Sequence, residues 1–139
     1  MSLYVLDTDV ATLLRAKHPI VSQRVGSHAP ADVVITIITV EEQLTGWFAQ
    51  IRRARKRNDM ARAYEQFTDA AAWLADWSIL SFTEPAIIRY DRLRNLRLNI
   101  GGYDLRIAAI TLEQGATLVT RNLRDFQRVP NLVVKDWSV

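Results

Sequence analysis

The chain has 139 residues, 49% of them hydrophobic and 24% charged; this suits a single domain with a real core and excludes collagen-like, low-complexity and disordered classes. It contains no cysteine, which removes disulfide scaffolds, thiolate zinc sites, iron–sulfur clusters and cysteine nucleophiles together. Lys and Arg number 18 against 15 acids, a net charge of +3, and all but Lys17, Lys56 and Lys135 are arginines, whose planar forks suit phosphate or carboxylate partners.

Leu3 to Leu6 is a short apolar run ending at Asp7, the pattern of a buried strand. Asp7-Thr8-Asp9 then supplies helix-start residues for a helix to about Ala16, and Pro19 opens a second helix that stops before Gly26. Val33 to Thr39 is almost unbroken in β-branched residues and predicts a strand buried on both faces. From Thr39 a long helix is expected, with Val40, Leu44, Trp47, Phe48 and Ile51 on one apolar stripe. After a break near Asn58-Asp59, a further helix carries Tyr64, Phe67, Ala71 and Leu74 on one face. Ser78 to Ser81 is a weaker strand. Glu84-Pro85 opens a helix to about Leu98, with proline at the first-turn position where its missing N–H is harmless. Gly101-Gly102 breaks the chain before a helix marked by Leu105, Ala108, Ala109 and Leu112, which Gly115 closes. Thr117 to Thr120 is a strand, Asn122 to Phe126 a helical turn, and Leu132 to Lys135 a last strand. Strands alternating with helices predict an α/β fold: a parallel sheet of about five strands with helices on both faces, over residues 1–139 as one domain.

The acids fall at the junctions between these elements. Asp7 ends the first strand, Glu42 lies in the first turn of the long helix, and Asp104 opens the helix after the double glycine. Asn122 and Asp125 follow the strand ending at Thr120. In an open parallel sheet, ligands bind beyond the carboxyl ends of the strands, where all of these residues are expected. Most have a simpler structural role: Asp7 or Asp9 as a helix cap, Asp104 and Asn122 as others, and Thr39 with Glu42 as a capping box. Capping does not explain three junctions placing acids on one edge. Grouped carboxylates repel unless a cation neutralises them, and oxygen ligands without cysteine or a usable histidine suit Mg²⁺ or Mn²⁺.

These residues carry a family resemblance. Val5-Leu-Asp-Thr-Asp9, Ile38-Thr-Val-Glu-Glu-Gln-Leu-Thr-Gly46, Ile100-Gly-Gly-Tyr-Asp-Leu-Arg-Ile-Ala-Ala109, Gly115-Ala-Thr-Leu-Val-Thr-Arg-Asn-Leu-Arg-Asp-Phe126 and Arg128-Val-Pro-Asn-Leu-Val-Val-Lys-Asp-Trp137 stand in family order. Together they resemble a PIN-domain ribonuclease, and within that superfamily the VapC-type toxins of bacterial toxin–antitoxin pairs. The resemblance implies Asp7, Glu42 and Asp104 as catalytic metal ligands, with Glu41 the neighbouring alternative to Glu42. The family's fourth acid falls on Asn122, leaving Asn122 or Asp125 to complete the coordination. Thr8 and Thr120 would hold waters or orient the acids, and Asp9 would be a supporting residue or a cap. The implied activity is hydrolysis of RNA by a metal-activated water, with Mg²⁺ the expected cofactor and Mn²⁺ its alternative.

Arg121 and Arg124 flank the fourth acid position and are the expected contacts to the RNA phosphate. Arg52, Arg53, Arg55, Lys56, Arg57 and Arg62 form one basic cluster, and Arg89, Arg92, Arg94 and Arg97 a second; both suit a polyanion backbone. The resemblance also implies a cognate VapB-type antitoxin, docking on the Trp47 and Phe48 region and the Arg-rich helices, and a homodimer. No apolar run reaches the ~18 residues of a membrane span, and the N-terminus lacks a signal peptide's basic region, so a soluble cytoplasmic protein is expected. Two alternatives remain at this point. A haloacid-dehalogenase-like phosphatase would share the Asp7-Thr-Asp9 loop, but that family has Thr or Val where Ala11 stands, and Lys135 follows every acid that it would need to precede. A non-catalytic PIN-like binding module would need a broken acid set, for which Asn122 is the sole departure.

Overall fold

The apolar runs that end at Leu6, Thr36 and Val119 lie side by side because each is flanked by a helix that folds back over the sheet. In the computed structural model, which describes residues 2–139, the strands are β1 (Tyr4–Leu6), β2 (Val33–Thr36), β3 (Ile79–Leu80), β4 (Thr117–Val119) and β5 (Val133–Lys135). All pairings are parallel, in the order β3-β2-β1-β4-β5. The helices are α1 (Thr8–Arg15), α2 (Pro19–Gly26), α3 (Ile37–Arg53), α4 (Arg57–Ala75), α5 (Glu84–Asn95), α6 (Gly102–Glu113) and the single turn α7 (Leu123–Phe126). The expected α/β architecture is therefore the one observed.

Side chains alternate across the sheet as strand geometry requires. Val5, Val34 and Leu118 point to a core shared with Tyr90 and Leu93 of α5 and Ile107 and Ala108 of α6. Leu6, Val33, Ile35 and Val119 point the other way, against Val10 of α1, Val21 of α2 and Leu74 of α4. Trp137 closes that second core and stacks on His28, ring centroids 4.8 Å apart and planes 6° from parallel. Gly115, at φ +60°, ends α6 in the left-handed conformation that glycine adopts without a Cβ clash. From β1 the chain moves outward to β2 and β3, then returns to add β4 and β5 on the other side. The strand order thus reverses beside β1, and a ligand crevice opens there beyond the carboxyl ends of β1 and β4.

Two expectations are corrected. The strand predicted to reach Thr39 stops at Thr36, whose hydroxyl accepts the Thr39 amide at 3.3 Å and caps α3. Ile37, Ile38 and Thr39 are therefore helical: a satisfied cap and burial of Ile38 outweigh their β-branched preference. Thr39 is no cap, and Glu42 sits in the second turn rather than closing a capping box. In α4 the buried face is Ala63, Ala70 and Leu74, while Tyr64 and Ala71 are exposed. Phe67 of α4 meets Phe48 of α3 edge-on at 5.4 Å. The break between these helices falls at Ala54 to Lys56, so Asn58 and Asp59 belong to α4.

Candidate active site

Four segments far apart in sequence deliver polar side chains to the crevice. Asp7 follows the last residue of β1; its amide donates to the Val119 carbonyl of β4 at 3.0 Å, which fixes it at the switch point. One carboxylate oxygen, Oδ1, accepts the Val10 amide at 2.8 Å and caps α1. The same residue therefore ends a strand, starts a helix and lines the crevice. Glu42 arrives on α3 and Asp104 in the first turn of α6. With Thr8, Asp9, Arg121 and Asn122 these three acids line an open cavity of about 480 Å³.

Each of the three acids holds its proton more tightly than an ordinary carboxyl. Asp7, only 5% exposed, is pushed up to about 6, chiefly by desolvation, against the opposing pull of Thr120 and the Val10 amide, with Asp9 and Asp104 adding repulsion. Glu42 is raised by burial and by Asp104, while the Thr8 hydroxyl lowers it. Asp104 is raised by burial and by Asp125, and among the described residues no hydrogen bond offsets either. Perturbation by desolvation and like charge at one cleft is the electrostatic pattern of a functional site.

A relay of hydroxyls supports Glu42. Thr8 Oγ1 donates to Glu42 Oε1 at 2.6 Å and lies 3.0 Å from Thr39 Oγ1. Because the Thr8 proton is committed to the carboxylate, Thr39 must donate to Thr8. Thr39, fully buried, is a supporting residue that the sequence reading assigned to a helix cap; its position three residues before Glu42, on the same helical face, was the available signal. Glu41 is exposed and outside the cavity.

The fourth corner is built by Asn122. Its Oδ1 accepts the Asp125 amide at 3.4 Å, and its Nδ2 donates to Asp125 Oδ2 at 2.9 Å. Its backbone N–H donates to the buried Thr120 hydroxyl at 2.9 Å. Asp125, also 3.4 Å from Arg128, stands behind Asn122 rather than in the cavity lining. Arg124 is exposed and likewise absent from the lining. Arg121 does line the cavity, held by Asp9 through two parallel bonds of 2.7 and 3.0 Å.

The donor set suits a hard cation. Among the described residues, no three carboxylates or imidazoles close into a ready-made cage. An open site with a few carboxylates and room for water is nevertheless how Mg²⁺ is usually held, since it keeps much of its hydration shell. Burial raises the proton affinity of all three acids and neighbouring carboxylates add to it, and among the described residues Asp104 has no hydrogen-bond donor.

A three-acid crevice at the switch point of a parallel sheet in this order defines the class. The PIN domain matches residues 4–132, and the chain belongs to that family. It is 30% identical to the Ribonuclease VapC1 of Haemophilus influenzae over 142 residues, covering 98% of each chain. Its fold matches the VapBC-1 structure from nontypeable Haemophilus influenzae with a TM-score of 0.71 at 28% identity, covering 99% of both chains. It also matches DNA-bound VapBC from Salmonella typhimurium, with a TM-score of 0.79 at 22% identity and 99% of both chains, a likeness of fold alone. A match across nearly the whole chain does not favour the phosphatase alternative. No helix is long and apolar enough to cross a membrane among the described residues.

Proposed function

We propose that the chain is a divalent-metal-dependent endoribonuclease of the VapC toxin type, restrained by a cognate antitoxin. The observation that carries this reading is the meeting of Asp7, Glu42 and Asp104 in one cavity at the switch point. These three would hold the cation, with Asn122 completing the site through its amide oxygen or a water and Asp125 behind it. Bound there, a divalent cation supplies a water of lowered pKa and neutralises charge developing on the phosphate. Asp7 contributes a carboxylate fixed by the α1 cap, and Thr8 with Thr39 hold Glu42 in a single orientation. Thr120 steadies Asp7 and the Asn122 loop together.

Substrate binding falls to the cations. Arg121 at the cavity mouth is the contact to the scissile phosphate, and Arg124, further out, meets a neighbouring one. At the distal end of the α3–α4 hairpin, Arg52, Arg53, Arg55, Lys56, Arg57 and Arg62 stand on an exposed tip with no salt bridge among the described residues. Ten residues of helix separate Glu42 from Arg52, about 15 Å, which lets the tip engage backbone a few nucleotides from the reacting phosphate. The relatives in VapBC complexes support a protein partner. Its docking place is the groove of about 380 Å³ lined by Ala11, Thr12, Gln43, Trp47, Trp73 and Leu74, near the Trp47 and Phe48 of the sequence reading.

The test is cleavage of a fluorogenic RNA by antitoxin-free protein with Mg²⁺, Mn²⁺ or EDTA, beside Asp7→Asn. Metal-dependent cleavage that the substitution abolishes supports the reading. A folded wild-type protein that cleaves no RNA with either metal overturns it in favour of a binding module.

A further inference from the structure

Asp9 presents a puzzle of sign. A carboxylate at the mouth of a cavity that already holds Asp7, Glu42 and Asp104 adds repulsion exactly where a polyanionic substrate must enter, and it raises the proton affinity of Asp7. It is not the cap of α1, since Asp7 fills that role. Its only described partner is Arg121, 112 residues away, whose Nε donates to Oδ2 at 2.7 Å and whose Nη2 donates to Oδ1 at 3.0 Å.

We infer that Asp9 is a positioning residue for Arg121, holding its guanidinium at the cavity mouth in the orientation that receives a substrate phosphate. The inference rests on the ribonuclease reading above. A guanidinium has five N–H donors in a rigid plane. Side-on pairing through Nε and Nη2 commits two of them, leaving both on Nη1 and one on Nη2 for a phosphate oxygen. Without Asp9, a long flexible cation beside three crowded carboxylates has an obvious alternative: it swings inward and pairs with them. Asp7 already attracts it. In that position Arg121 faces neither solvent nor substrate and occupies the space of the cation. Asp9 anchors the side chain from α1, an element fixed to the sheet by the Asp7 cap, so Arg121 stays on the rim although its own loop is exposed. The pair is roughly half exposed on both sides, so its value is in geometry rather than in stability.

The experiment measures binding of a short fluorescein-labelled single-stranded RNA by anisotropy, in EDTA, across a NaCl series. All proteins carry Asp7→Asn, which keeps the helix cap and prevents cleavage. Plain electrostatics requires Asp9→Ala to bind RNA more tightly, because a negative charge is gone. The positioning role requires the opposite: Asp9→Ala weakens binding several-fold and reduces the slope of log K against log [salt] by about 0.7, the loss of one phosphate contact on a single strand. Arg121→Ala shows the same loss, the double variant is no worse than Arg121→Ala alone, and Asp9→Asn recovers part of the affinity because its amide oxygen still accepts from Nε. Tighter binding by Asp9→Ala, or additive losses in the double variant, overturns the inference. If the parent binds RNA and Arg121→Ala leaves binding unchanged, the inference falls while the ribonuclease reading stands. If the parent binds no RNA and the wild-type protein cleaves none, the ribonuclease reading itself has failed.

Discussion

The hydroxyl of Thr8 donates to the carboxylate of Glu42 across 34 residues of chain at 2.6 Å, the shortest side-chain tie between α1 and α3. A hydrogen bond to a charged acceptor contributes on the order of 1.5–3 kcal/mol, and here it favours the ionised form that a cation needs. Thr8→Val keeps the shape and removes the donor. We expect roughly tenfold lower metal-dependent cleavage and a shift of the acidic limb of the pH profile to higher pH, with Thr8→Ser restoring both. Steady-state cleavage from pH 5 to 8 checks this.

Glu41 and Glu42 are adjacent but differently placed, one exposed and one lining the cavity. Glu42→Gln should lose cleavage by two orders of magnitude or more and weaken Mn²⁺ binding measured by calorimetry. Glu41→Gln should leave both within twofold. The reverse pattern would move the metal site by one residue and with it the role of Thr8.

Burial of Asp7 has a price in stability that pH reveals. The folded protein keeps this proton up to about pH 6, whereas the unfolded chain releases it near the ordinary value of 3.8. Between those values the folded state binds more protons, so this contribution is fully present below the lower one and is lost as pH rises through the upper. The penalty above pH 6 is on the order of 3 kcal/mol in metal-free protein. Asp7→Asn, still able to cap α1, should therefore raise Tm by several degrees at pH 7.5 in EDTA and flatten the fall in Tm between pH 4 and 6.5. Calorimetric scans of both proteins across that range test it. A lower Tm for the variant at pH 7.5 would show that the ionised carboxylate stabilises the fold.

The cationic tip of the α3–α4 hairpin makes a separable prediction. Reversing Arg55, Lys56 and Arg57 to Glu should weaken RNA binding at least tenfold at low salt and reduce its salt dependence by two to three contacts. Cleavage of a dinucleotide substrate too short to reach the tip should stay within twofold of wild type. Equal losses on long and short substrates would argue against a role in tracking the strand.

The sequence was most legible where one residue type has one strong reading. An apolar strand ending in Asp7, a double glycine before Asp104 and a β-branched strand before Asn122 place three corners of the site directly. The Ile37 to Thr39 segment reads as strand because β-branched residues favour that state, and only the Thr36 cap and the burial of Ile38 and Thr39 outweigh the preference. On α4 the expected face is off by one position at Tyr64 and Ala71 but right at Leu74, because Tyr64 is a stronger hydrophobic signal than the buried Ala63. The Asp9–Arg121 pair is illegible for a different reason: nothing local links two positions 112 residues apart.

The pairing of β1 with both β2 and β4 also governs when the crevice can be complete during synthesis. Asp7 precedes Val119 by more than a hundred residues, so its own amide has no partner until Val119 is made, and Asp104 and Asn122 likewise follow Glu42 in synthesis. A nascent chain carrying residues up to the end of α5 holds Asp7 and Glu42 but lacks the other half of the crevice. The crevice is thus complete only once β4 has paired with β1.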